Sequence, residues 1–173
     1  MRKTLVVILL AFSPCAFGQF DSLPIGSLRL TLGTDQIAVM SEIKLKYFLV
    51  TVSGQPDMFF LSDGKPPNVK VIGGVRFDNA KLRWIQRNWG SFAGKGSSLD
   101  ASKALISALE SATSSSGVAA TVTTRVHRVP GGEFRTAYFD FPNRKVTFAT
   151  TDGDASIGGQ QVSIDESVGL PRK

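Results

Sequence analysis

The chain is short of the residues that build most extracytoplasmic staples and catalytic sites. It has one cysteine and one histidine in 173 residues. A lone Cys15 cannot form an intrachain disulfide or a thiolate zinc site. His127 by itself cannot make a multi-histidine metal site, so no metal ligand set is expected. There is no Gly-x-Ser-x-Gly, so no nucleophile elbow is signalled. After the N-terminus no apolar run approaches about 18 residues, so no membrane span is expected. Acidic residues number 14 against 20 basic ones, a formal charge of +6. The positives are scattered, which favours contact with anionic envelope material over nucleic acid.

What the N-terminus does have is an export pattern. Arg2 and Lys3 precede an apolar core from Leu5 to Phe12, then Pro14 and small residues. Such a core makes about 12 Å of helix, against a hydrocarbon layer of about 30 Å. Residues 1–18 read as a secretory signal peptide, with Ala16-Phe17-Gly18 before the cut and Gln19 as the new terminus. The rival reading is a lipoprotein acylated on Cys15, in which Pro14 would stand where a lipobox has a small residue. Loss of Arg2 and Lys3 lowers the formal charge from +6 to +4. Residues 19–173 then form one exported domain, periplasmic or extracellular, stabilised by its core rather than by disulfides.

Periodicity outlines an α+β fold, with helices packed on a mostly antiparallel sheet. "LRLTLGTDQIAVMSEIKLKY" reads as a short amphipathic helix capped by Thr34, with Ile37, Met40 and Ile43 on its apolar side. "KYFLVTVS" and "DMFFLS" read as strands. "VKVIGGVRFDNAKLRWIQRNWG" reads as a hairpin turning at Asp78-Asn79-Ala80, with Gly73-Gly74 marking a bulge. Around residues 98 to 113 a helix capped by Ser97 or Ser98 carries the stripe Leu105, Ala108, Leu109, Ala112. "VAATVTTRVHRV", "EFRTAYFDF", "KVTFATT" and "QQVSIDESV" read as four strands, and short links between them allow only antiparallel pairing.

The two halves, 28–89 and 98–168, both run helix then about four strands, so two tandem α-ββββ units are one reading. "FDNAKLRW" from 77 and "FPNRKVTF" from 141 share Phe-x-Asn-x-Lys, and Thr34 and Ser98 share the same 64-residue offset. The bland alternative is that antiparallel hairpins commonly use Asn at a turn with apolar flanks. Residues 28–89, through "LRLTLGTDQIAVM" and "GGVRFDNAKLRW", resemble the SmpA/OmlA group of small bacterial envelope lipoproteins. The β-lactamase inhibitory proteins, tandem copies of a related helix-plus-sheet unit, are similar as well. Thr34 stands where the group usually has Met. The resemblance implies a non-enzymatic, protein-binding envelope role and transfers no functional residue.

The remaining motifs fail on spacing. "WGSFAGKGSS" resembles a phosphate loop, but three residues separate Gly90 from Gly94 where the motif needs four. Gly96 also follows Lys95 where a hydroxyl must reach magnesium, so no nucleotide and no cofactor are expected. Ser41 and Lys44 fit Ser-x-x-Lys without the companion motifs of penicillin-recognising enzymes. Asp152, Asp154 and Ser156 alternate like a calcium loop, but Ile157 replaces the essential Gly and Ser163 the closing Glu.

The candidate binding residues are Arg83, Arg87 and Trp89, on an expected outward basic face with Lys81 and Ile85, and Arg125 with His127 on another. Trp84 is expected to pack inward. No catalytic residue is assigned. Three functions fit: a non-catalytic envelope binding or scaffold protein, a small extracytoplasmic hydrolase with an unrecognised site, or a small-ligand carrier. The expected partner is an envelope protein or an anionic envelope polymer.

Overall fold

Strands that alternate between apolar and polar residues dominate the molecule. The computed structural model describes residues 22–94, 97–153 and 159–169. A small hairpin, β1 (Ser22–Ile25) and β2 (Leu28–Thr31), leads into helix α1 (Gln36–Lys46). A four-stranded meander comes next: β3 (Phe48–Val52), β4 (Gln55–Ser62), β5 (Val71–Asp78) and β6 (Lys81–Ala93). Helix α2 (Ser98–Ser116) precedes a second meander of β7 (Thr121–Val129), β8 (Gly132–Asp140), β9 (Arg144–Gly153) and β10 (Gln161–Gly169). The two meanders join at their last strands into one eight-stranded sheet, in the order β3-β4-β5-β6-β10-β9-β8-β7. All pairings are antiparallel. The fold is therefore mostly sheet, with two helices and a two-stranded hairpin added.

Parity along β9 and β10 shows that everything added lies on one side. Ile164, Glu166 and Val168 share a face of β10, and Val146 and Phe148 share it across the regular β9 register. Val168 belongs to a core with Leu23, Ile25, Val39, Ile43, Leu61, Val75 and Ile85, beneath α1 and the β1–β2 hairpin. Ile164 and Val146 belong to a second core beneath Ala101, Ala108 and Ala112 of α2. Both cores thus sit on the same face. Among the described residues, no helix or hairpin covers the other.

Several local expectations change. The segment "LRLT" is not helix but β2, with Leu28 and Leu30 buried in alternation. The cap of α1 is Asp35 rather than Thr34; its carboxylate accepts the Ile37 amide at 3.0 Å. The buried stripe is Val39 and Ile43, while Ile37 is 79% exposed. Of the expected side, Ile43 is buried and Met40 packs against the core, while Val39 takes the place of Ile37 where α1 docks against β2, β3 and β6. In α2 the alanines are buried and Leu105 and Leu109 flank them. Ser97 precedes this helix without capping it; its hydroxyl donates to the Gly94 carbonyl at 2.9 Å.

Gly73 and Gly74 mark close approach; the bulged residue of β5 is Ile72, next to Gly73. A Cβ on Gly73 would lie 2.4 Å from the Gln86 carbonyl oxygen and 2.8 Å from Ile25. The real register shifts fall at Leu61/Ser62, at Arg76/Phe77 opposite Arg83, and at Ile164/Asp165 opposite Trp89. The two Phe-x-Asn-x-Lys stretches also occupy different places. Residues 77–84 turn between β5 and β6, the third and fourth strands of their meander, whereas 141–148 turn between β8 and β9, the second and third.

Candidate functional site

Charges at inward-facing strand positions form the densest polar cluster. Glu166 is fully buried between the two cores, on the parity of Ile164 and Val168. Arg144, 6% exposed, lies opposite Val168 on β9 and gives Nη1 to Glu166 Oε1 at 2.7 Å. Its Nη2 donates to the Ser22 carbonyl at 2.8 Å, which ties β1 to the sheet. Ser111 of α2 donates to Oε1 at 3.2 Å, and Trp89 Nε1 donates to Oε2 at 3.0 Å. One carboxylate thus links α2, β6 and β9 from β10. The network occupies the seam where the two meanders meet.

Arg87 and Trp89 belong to this seam, contrary to an outward basic face. The extra residue at Arg83 breaks the alternation of β6, so Leu82 and Ile85 both enter the core. Arg87 then points to the helix-covered side, opposite Glu166 and Gly73. Its guanidinium stacks 3.6 Å over the Trp89 ring. Burial lowers the Arg87 pKa, the Glu166 charge opposes that shift, and Arg144 adds to it. Arg83 is exposed and stands apart from this group. Trp84 is buried, as expected, but over Gly74 beside Phe60 on the opposite face from the cores.

The helix-free face holds the other two candidates. Arg125 and His127 project from β7 on the same parity as Phe134 and Tyr138 of β8. Arg125 lies 5.6 Å from the Tyr138 ring, and Lys145 lies 5.2 Å from it. Lys145 also pairs with Asp140 at 3.0 Å. The His127 and Phe134 rings are 6.5 Å apart. Across the seam the same face carries Gln86, Asn88, Asp165 and Thr147. Burial raises the Asp165 pKa, and a hydrogen bond from Gln86 opposes the shift. Beyond them lie Trp84, Phe60 and Arg76, the last 3.6 Å from Asp57.

So the five candidates divide: Arg87 with Trp89 beneath the helices, Arg125 with His127 on the open face, and Arg83 alone. Sequence reading missed Glu166, Arg144, Ser111 and Asp165. A charge on the inward parity of Ile164-x-Glu166-x-Val168 and of Arg144-x-Val146 was the available mark.

Two of the surface hollows are chemically sparse. A hollow of about 640 Å³ lined by Val69–Ile72 and Asn88–Phe92 contains one ionisable group, Lys70. Another of about 430 Å³ lies along Phe141–Lys145 and Ser167–Gly169, where Asp140 and Lys145 already pair. Among the described residues, no group of three or more His, Cys, Asp or Glu could hold a metal ion, and no helix is long and apolar enough to cross a membrane. The expected signal peptide with Cys15, Lys95 and Gly96 of the glycine loop, and Asp154 to Ile157 of the acidic loop lie outside the described residues.

No known family, curated protein or solved structure matches the chain. The likeness of residues 28–89 to the SmpA/OmlA group therefore stands on its sequence motifs alone.

Proposed function

We propose that this chain is an exported, non-catalytic binding module that engages an envelope macromolecule across the helix-free face of its sheet. One observation carries the reading: both cores and both helices lie on one side of eight strands. At about 4.8 Å per strand and about 3.3 Å per residue, such a face offers on the order of 1,000 Å². A standard protein–protein interface uses about 800 Å² per partner. Phe134, Tyr138, Arg125 and Lys145 give that face the aromatic and cationic side chains that recognition surfaces favour.

The tandem arrangement supports the same reading. A helix followed by a four-stranded meander occurs twice, and pairing β6 with β10 fuses two narrow sheets into one wide one. We read this as duplication of an α-ββββ unit whose loops and strand lengths have since diverged.

The test is photo-cross-linking in the exporting cell. A photoreactive residue replaces Thr136 or Thr147 on the helix-free face, or Lys103 on α2. A shared cross-linked species from both threonine positions, absent from Lys103, supports the reading. Cross-links from Lys103 alone, or none from either threonine position, overturn it.

A further inference from the structure

The two edges of the sheet are not alike. At one end β3 has five residues, a register shift beside Val52, and α1 packed near it. At the other end β7 has nine residues, of which all but Val129 are exposed. Among the described residues nothing pairs with its outer edge. β7 contains no proline, no glycine and no register shift; of the devices that usually blunt an edge it has only charge, in Arg125 and Arg128. Its sequence, TVTTRVHRV, is largely β-branched, and Val122 and Val126 are each 56% exposed. The regular backbone, the exposure and the composition together describe a strand ready to accept another.

We propose that the outer edge of β7 is a strand-addition site for an acidic extended segment of a partner protein. Charge selects this occupant. β7 carries Arg125, His127 and Arg128 and no acidic residue. Arg128 and Arg135 share the single carboxylate of Glu133. A second copy of the chain fits poorly. In a two-fold antiparallel pair, opposed residues point to the same face. The axis at Arg125 then sets Arg125 against itself. An axis at Val126 sets Arg125 against His127, and an axis at Thr124 leaves the two Arg125 side chains as diagonal neighbours about 7–8 Å apart. An acidic strand meets Arg125 on one face and Arg128 on the other, while Val122 and Val126 receive its apolar side chains. Main-chain hydrogen bonds supply the affinity and these side chains the preference.

The probe is a synthetic peptide of Val and Thr with two Glu three residues apart, so that one projects from each face of the strand toward Arg125 or Arg128, titrated into the full chain by fluorescence anisotropy. Hydrogen exchange then locates it. Saturable binding that protects β7 amides is expected, weakened about tenfold by Arg125→Glu with Arg128→Glu, as loss of two charge pairs predicts. The same peptide N-methylated along one edge should not bind. Equal binding of the N-methylated peptide, or protection elsewhere than β7, overturns the proposal. So does a chain that sediments alone as a dimer with β7 amides already protected. The cross-links from Thr136 and Thr147 report the open face and the peptide reports the edge, so each reading can fail alone.

Discussion

Replacing Glu166 by Gln removes one charge while keeping the side chain's shape, and the structure sets the size of the effect. The Glu166 and Arg144 side chains are 0% and 4% exposed. Glu166 accepts from Arg144 and Ser111 on one oxygen and from Trp89 on the other. A glutamine amide can satisfy only one side. If its oxygen faces Arg144, its NH₂ meets the Trp89 N–H; if it flips, its NH₂ meets the guanidinium. Either way donor opposes donor, and a buried arginine loses its counter-ion beside a second cation, Arg87. Arg144 has no spare partner, since its Nη2 already serves Ser22 and its Nε is unpaired. Breaking a buried pair from one side costs about 3–5 kcal/mol. That is a large share of the roughly 5–15 kcal/mol available to a domain. Urea melts followed by tryptophan fluorescence should show a lower midpoint at unchanged slope. The double change Glu166→Leu with Arg144→Met removes both charges and should cost less than Glu166→Gln alone. A loss under about 1 kcal/mol for Glu166→Gln would refute the picture of a desolvated seam.

Four further outcomes are expected. Asp165→Asn should stabilise the protein at pH 7: burial raises the carboxyl's folded pKa, so wild-type stability is fullest below the unfolded value of about 3.9 and is lost as pH rises through the folded one. The gain should fade toward pH 3, and a pH-independent gain would contradict the assignment. Ala80→Gly should add about 0.5–1 kcal/mol in thermal or urea melts, because Asn79 and Ala80 both hold positive φ (51° and 57°) at the β5–β6 turn. Gly73→Ala should cost about 1–3 kcal/mol, since the new methyl collides with the Gln86 carbonyl and with Ile25. Intact-mass measurement of the exported protein should find Gln19 as its first residue; an acylated Cys15 would overturn the soluble-release reading.

The strands of the second meander and the β5–β6 hairpin were legible because period-two patterns and turn residues are local. Helix α2 was legible from the stripe Leu105, Ala108, Leu109 and Ala112, although its alanines rather than its leucines are the buried residues. The β1–β2 hairpin was not, because four-residue strands carry too few alternations. The two bulges on β6 did more harm. An extra residue inverts the parity of every residue after it, so Arg87 and Trp89 were placed in water when they lie under the helices. Nothing in "KLRWIQRNWG" marks which residue is the extra one; the partner strands decide it. The pairing of β6 with β10 was equally hidden, because it joins segments far apart in the chain.

That central pairing governs the order in which the protein can assemble. β10 comes after every other described strand in the chain, yet it occupies the middle of the sheet. Until it arrives, β6 and β9 both present unpaired edges, and Ile164, Glu166 and Val168 are missing from the places where the cores meet. Early segments can form only halves that do not adhere. Loop closure over this distance is slow, and long-range pairing comes late in folding. A chain built this way stays open until its last described strand emerges.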